Sequence, residues 1–155
     1  NNTNLFSAII IGDGPALLNY KNIVLKKNLK NKIYFLGEIP YLNMMSYTAS
    51  CDIGWVLIKN RGISNQFALP NKLFEYTLMG LPVIASSLPN IEPIIKKNNF
   101  GICVNEQDIN QQLTAINQII DRYDDYNFIS QKTLAAYVWD IQHEIFIRAL
   151  SNNES

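Results

Sequence analysis

LPNKLFEYTLMGLPVIAS, residues 69–86, is the stretch of sequence that decides the fold of this chain. It predicts a loop, a short helix, a tight turn and a strand in quick succession. Pro70 suits the first helical position, where its fixed φ fits and its missing N–H would have no partner anyway. Gly80 is placed to end the helix in a left-handed conformation that other residues avoid. The apolar run 83–85 then indicates a short strand buried on both faces.

The predicted helix carries an apolar stripe and a polar face. The apolar stripe consists of Phe74, Leu78 and Leu81, which recur at helical spacing. Lys72 and Glu75 share a different face. Free N–H groups at the helix start with a lysine beside them form an anion site, and a carboxylate one turn further can accept hydrogen bonds from a ribose diol. These residues together describe a site for a nucleotide diphosphate, although a solvated Lys/Glu pair explains the two side chains taken alone.

Outside this stretch, short β-branched runs alternate with helical patterns, which predicts an α/β fold with a parallel sheet. The other predicted strands are residues 7–11, 33–37, 53–58 and 100–104. The other predicted helices are residues 16–27, 40–51, 91–97 and a C-terminal helical part, 108–155. In that part Leu113, Ile116 and Ile120 form one stripe, residues 128–137 a second helix, and Trp139, Ile141, Ile145, Phe146 and Leu150 the apolar face of a last one.

Length and composition bound the class of protein. The 155 residues fit one domain, and 48% hydrophobic against 17% charged residues indicate a globular chain. Thirteen basic and thirteen acidic residues cancel, so we expect no general attraction to nucleic acid or to an anionic membrane. Cys51 and Cys103 are expected to be small buried thiols in a reducing compartment. The sequence shows neither an apolar run of about 18 residues nor a signal peptide, and we expect a cytoplasmic location.

The stretches 70–76 and 79–86 resemble the donor-binding segment of retaining glycosyltransferases with the two-domain GT-B fold, and more narrowly the glycosyl transferases group 1 (family 4) C-terminal domain. The segment 12–15, Gly-Asp-Gly-Pro, is similar to the turn that borders the donor cleft of these enzymes. The resemblance therefore implies a Rossmann-like donor-binding domain spanning residues 1–155, the C-terminal half of a GT-B enzyme.

The resemblance also implies a site and a reaction. The donor-binding residues would be Gly12, Gly14, Phe35, Leu36, Gly37, Ala68, Leu69, Pro70, Asn71, Lys72, Leu73 and Glu75. Lys72 would be the catalytic residue, stabilising the charge on the departing diphosphate. The substrate would be a UDP- or GDP-linked sugar, the enzyme a hexosyl-type glycosyltransferase, and no cofactor or metal would be needed. An Asn-, Ile- and Lys-rich composition hints at a bacterial source and at polysaccharide biosynthesis.

Two departures from the family pattern qualify this interpretation. Many members carry a sugar-contacting glutamate where this chain has Phe67, so backbone groups from Ala68 to Asn71 become the better candidates for that contact. The family's donor domain also begins with a further strand and helix, whose Arg and Lys clamp the pyrophosphate. They would lie upstream of Asn1, as would the acceptor-binding N-terminal domain. We therefore expect the chain alone to bind donor without turnover, and the full-length protein could be peripheral to a membrane.

Three alternatives remain open at this point. A non-catalytic nucleotide-binding or regulatory α/β domain, such as a receiver, would need an acidic cluster that Asp13 and Asp52 are badly placed to supply. An NAD(P)-dependent oxidoreductase would need a GxGxxG turn, which residues 12–14 do not provide. A protein-interaction domain would bind no nucleotide at all.

Overall fold

The computed structural model describes residues 6–126, 143–144, 147–148 and 151. Five strands alternate with helices: β1 Ala8–Ile11, β2 Ile33–Gly37, β3 Gly54–Val56, β4 Val83–Ser86 and β5 Gly101–Val104. The helices are α1 Leu17–Lys26, α2 Tyr41–Ala49, α3 Ile63–Gln66, α4 Asn71–Leu78, α5 Glu92–Asn98, α6 Ile109–Asp121 and α7 Tyr123–Tyr126. The predicted α/β order is confirmed. The predicted helices at 128–137 and around Trp139 lie outside the described residues.

The chain divides into two compact units, Asn1–Tyr47 and Thr48–Ser155. In the N-terminal unit β1 and β2 form a two-stranded parallel sheet, with Ala8 opposite Ile33 and a register shift between Ile10 and Ile11. Among the described residues of this unit, Val24 of α1 is the buried hydrophobic one.

The C-terminal unit is built around β4, which pairs in parallel with β3 on one side and β5 on the other. Its strand residues alternate between two hydrophobic clusters, as the pleat requires. Val83 and Ala85 belong to a cluster with Val56, Leu73, Leu88, Ile91, Ile95 and Phe100. Ile84 belongs to a second cluster with Val104, Ala115, Ile119 and Tyr126. Helices therefore cover both faces of this sheet, and the predicted burial of β4 on both faces is confirmed.

The predicted apolar stripes of α4 and α6 are confirmed only in part: Leu81 is buried and Ile116 packs against a core cluster, but other members are exposed. In α4 the buried residues are Leu73 and Thr77, whereas Leu78 is 50% exposed. Thr77 can occupy the core side because its hydroxyl donates to the carbonyl of Leu73 at 2.6 Å. In α6 the buried residues are Ala115 and Ile119, while Leu113 and Ile120 of the predicted stripe are 51% and 45% exposed. Each helix thus buries one large and one smaller residue, Leu73 with Thr77 in α4 and Ile119 with Ala115 in α6.

Among the described residues, the longest helices fall short of the length and apolar character that crossing a bilayer would require.

Candidate functional site

The turn between α4 and β4 fixes where α4 begins. Gly80 has φ +74°, the N–H of Gly80 donates to the Thr77 carbonyl and that of Leu81 to the Tyr76 carbonyl, both at 3.0 Å. These two bonds form a Schellman motif, and the left-handed helix end predicted for Gly80 is confirmed. Because this tight turn leads directly into the amino end of β4, the first turn of α4 lies toward the carboxyl edge of the sheet. Open α/β sheets bind ligands at that edge.

The N-terminus of α4 has no side-chain cap. Pro70 is the N-cap residue, one position earlier than predicted, because its ψ of 142° is extended and not helical. The N–H of Leu73 donates to the Pro70 carbonyl at 3.1 Å. Helix geometry leaves the N–H groups of Asn71 and Lys72 without an intrahelical acceptor. This end of α4 therefore presents two backbone donors and the positive end of the helix dipole.

The two predicted polar side chains of α4 differ in exposure. Lys72 is exposed, and none of the ion pairs found among the described residues involves it. Glu75 is half-buried beside Tyr76. The pKa of the Tyr76 phenol is raised, first by burial and then by the charge of Glu75. Lys72 lies in the first turn of α4, and Glu75 lies at the start of the second.

The segment before α4 is held by side chains from elsewhere in this unit. The hydroxyl of Ser86, a fully buried residue, accepts from the Ile58 N–H at 2.7 Å and donates to the Ile58 carbonyl at 3.0 Å. The Asn90 side-chain amide donates to the Phe67 carbonyl at 2.7 Å, and that of Asn65 to the Lys59 carbonyl at 2.9 Å. The connection 59–69 thus contains the short helix α3 and has a defined path into α4.

The predicted site residues of this segment serve different purposes. Ala68 is half-buried and Leu69 is 43% exposed, so both lie where a ligand at the tip of α4 could reach them. Phe67, at the position of the family's glutamate, is 53% exposed. The Leu73 side chain is fully buried in the core, so it anchors α4 to the sheet and offers nothing to a ligand.

The predicted site residues of the N-terminal unit gather at the carboxyl end of its two strands. The N–H of Gly12 donates to the Gly37 carbonyl at 2.8 Å, and both glycines have positive φ, +123° and +69°. A Cβ at Gly12, Gly14 or Gly37 would meet nothing within 4 Å. Phe35 and Leu36 are half-buried. That these five residues contact the donor nucleotide stays a prediction.

Two other features of the C-terminal unit lie apart from the predicted site residues. Glu92 at the start of α5 accepts from the Ser87 hydroxyl and pairs with Lys96. The pKa of Glu92 is lowered, first by its hydrogen bond with Lys96 and then by that with Ser87.

An open depression of about 330 Å³ lies between β5 and α6, with Asp108, Asn110, Gln111 and Gln118 among its polar lining residues.

The described residues include no group of three His, Cys, Asp or Glu that could hold a metal ion. Cys51 and Cys103 are both half-buried, so the predicted burial of the two thiols is only partial, and burial raises the pKa of the Cys103 thiol to about 11.

Ser86 and Asn90 are the residues that sequence analysis missed. Ser86 ends the buried strand β4, and Asn90 lies in the turn that follows it. A serine at the end of a strand buried on both faces was the available signal, because a buried hydroxyl needs hydrogen-bond partners. For Asn90 the sequence held no such signal.

Comparison with known proteins places the chain in context. The family model "Glycosyl transferases group 1" matches residues 2–134. No curated protein matches the chain significantly.

Several solved structures share the fold. Sucrose-phosphate synthase (tll1590) from Thermosynechococcus elongatus matches with a TM-score of 0.70 and 18% identity over 94% of this chain and 38% of that protein. Anabaena Alr3699/HepE in complex with UDP-glucose matches with a TM-score of 0.71 and 19% identity over 94% of this chain and 41% of that protein. WaaG, a glycosyltransferase involved in lipopolysaccharide biosynthesis, gives a TM-score of 0.56 and 15% identity over 77% of this chain and 30% of that protein. The chain thus has the Rossmann-like fold of part of these proteins, and spans about two fifths of the length of the first two.

Proposed function

Because this chain belongs to the glycosyl transferases group 1 family, we propose that it binds a nucleotide-diphosphate sugar with the diphosphate at the N-terminus of α4. The observation that carries this proposal is the uncapped first turn of α4, with the exposed Lys72 beside it, at the carboxyl edge of the sheet. A diphosphate would accept hydrogen bonds from the free N–H groups of Asn71 and Lys72 and from the Lys72 ammonium.

The ribose would lie one helical turn further along α4. The Glu75 carboxylate can accept hydrogen bonds from both hydroxyls of a ribose diol, and its position three residues after Lys72 puts the two groups on neighbouring parts of one face. UDP and GDP are the candidate nucleotides, and the structures of HepE in complex with UDP and with UDP-glucose support the first.

The reaction proposed for the whole protein is the transfer of a hexosyl group with retention of configuration to a glycan or lipid-linked acceptor. The bond between the anomeric carbon and the diphosphate oxygen breaks, and its electron pair stays on that oxygen. The acceptor hydroxyl oxygen bonds to the anomeric carbon, and its proton passes to the released diphosphate. Lys72 and the α4 N-terminus would stabilise the charge that grows on the leaving group.

Isothermal titration of the chain with UDP, GDP, ADP and NAD tests the proposed site. We expect saturable binding of UDP or GDP, and roughly 10- to 100-fold weaker binding by Lys72→Ala, because a hydrogen bond to a charged group contributes about 1.5–3 kcal/mol. Lys97→Ala removes an equally exposed lysine from α5 and should bind like the wild type. Glu75→Gln should weaken binding of the nucleotide but not of pyrophosphate, which has no ribose.

Two results would contradict the site. Wild-type protein that binds none of the nucleotides would exclude a donor-binding domain in this chain, and would favour the interaction-domain alternative. If Lys72→Ala binds the nucleotide as tightly as the wild type, the diphosphate does not bind at the N-terminus of α4.

We also propose that the chain by itself transfers no sugar, because it spans about two fifths of the length of the related glycosyltransferases. Incubation with UDP-glucose and a set of acceptors should release UDP no faster than the buffer does. Release above that background in the wild type, lost in Lys72→Ala, would show that the chain carries the complete reaction.

A further inference from the structure

Residues 58–67, which lead into α4, are hydrogen-bonded near both ends to side chains of residues 86–90. At its start, the buried Ser86 hydroxyl makes two hydrogen bonds with the backbone of Ile58, two residues after the end of β3. Both backbone groups of Ile58 are therefore satisfied by a single side chain. The backbone just after β3 is therefore held in place by Ser86, the last residue of β4.

The second fastening lies close to α4. The Asn90 side-chain amide donates to the Phe67 carbonyl at 2.7 Å, and Phe67 stands three residues before Pro70, the N-cap of α4. Asn90 itself lies in the turn between β4 and α5. Between the two fastenings, the Asn65 amide bonds to the Lys59 carbonyl and keeps α3 folded against the start of the segment.

We infer that Asn90 is a positioning residue for the diphosphate site, since it holds the backbone that aims the N–H groups of Asn71 and Lys72. This inference rests on the proposed function. Pro70 restricts the backbone between Phe67 and Asn71, so a displacement of the Phe67 carbonyl is carried into the first turn of α4. Asn90 touches no ligand in this scheme. It acts through the 67–70 backbone, and Ser86 fixes the other end of the same segment.

Asn90→Ala tests the inference, with UDP and GDP as the probes in isothermal titration. Asn90 is exposed, so we expect the variant to fold. Loss of one neutral hydrogen bond should weaken nucleotide binding roughly five- to tenfold. Asn90→Asp keeps the shape but replaces the donating amide by an acceptor, so it should weaken binding at least as much. Asn98→Ala is the matched control, because its amide donates to the Ile94 carbonyl at 2.8 Å within α5.

A double-mutant comparison separates positioning from general stability. If Asn90 acts through the tip of α4, the combined loss of affinity in Lys72→Ala/Asn90→Ala should be smaller than the product of the two single losses. Losses that multiply, or an Asn90→Ala variant that binds like the wild type while Lys72→Ala does not, would overturn the positioning role and leave the proposed site standing. An equal loss in Asn98→Ala would also overturn it. Wild-type protein that binds neither nucleotide would instead overturn the proposed function, and with it this inference.

Discussion

The side chain of Tyr76 lies directly on the backbone of Gly54, and this single contact sets how closely α4 approaches β3. A Cβ at Gly54 would overlap the Cβ, Cγ and Cδ2 atoms of Tyr76. These atoms are close to the helix backbone, so they cannot move aside without moving α4. The glycine is therefore required by close packing, and not by a special backbone conformation.

Gly54→Ala should lower the free energy of unfolding by about 1–3 kcal/mol, because overpacking forces the helix or the strand to shift. Urea denaturation followed by circular dichroism measures this change. Gly62→Ala is the control, since Gly62 has an extended backbone with φ 169° and open space around its Cβ. If Gly54→Ala leaves the free energy of unfolding unchanged, α4 can shift away from β3 at little cost.

The start of α5 shows how one element stabilises its own end. Glu92 lies in the first turn of α5, where the positive end of the helix dipole favours its charged form. Its carboxylate also accepts from Ser87 and pairs with Lys96, one turn further along. These partners lie in α5 and in the turn just before it, so Glu92 stabilises the start of this helix.

The lowered pKa of Glu92 predicts a pH dependence of stability. The folded protein binds the proton less tightly than the unfolded chain, whose carboxyl has its ordinary pKa of 4.5. The stabilisation is therefore present above that pH and is lost as the pH falls through the lower folded value. Because Lys96 is 71% exposed, the effect should be small and should shrink in 1 M salt. Denaturation between pH 3 and 6 measures it, and Glu92→Gln should give a flatter curve than the wild type. Identical stability–pH curves for Glu92→Gln and the wild type would show that the Glu92 carboxylate does not cause the pH dependence.

Elements were easier to predict than the faces they bury. Gly80 and Pro70 set the limits of α4 through their own backbone restrictions, which a sequence displays directly. The buried face of α4 depends instead on what lies opposite it. Thr77 becomes a core residue because its hydroxyl bonds within the helix, and Leu78 is left half exposed. Likewise, local sequence predicted Lys72 and Glu75, whereas Asn90 bonds to a residue 23 positions away.

At the scale of the whole molecule, both hydrophobic clusters belong to the C-terminal unit. Their buried residues lie between Val56 and Tyr126, and β4 contributes to both clusters. In the N-terminal unit, by contrast, Ile9 and Ile10 of β1 are 40% and 42% exposed. Most of the apolar burial that stabilises the described residues thus surrounds the sheet that carries α4.

Ile84→Ala should therefore lower the free energy of unfolding by about 2–5 kcal/mol, because it opens a cavity beside a fully buried strand. The matched change Ile10→Ala removes the same atoms from a strand residue that is 42% exposed, and should cost much less. Guanidinium denaturation of the two variants compares them. Equal losses would show that β1 is buried in solution to the same extent as β4.

The Schellman turn at Gly80 has a mechanical consequence. It joins the C-terminal end of α4 to β4 through only four residues, 79–82, and the N–H groups of Gly80 and Leu81 bond back to the helix. The orientation of α4 is therefore coupled directly to that of the sheet at this end, and a tilt of the helix would strain the turn.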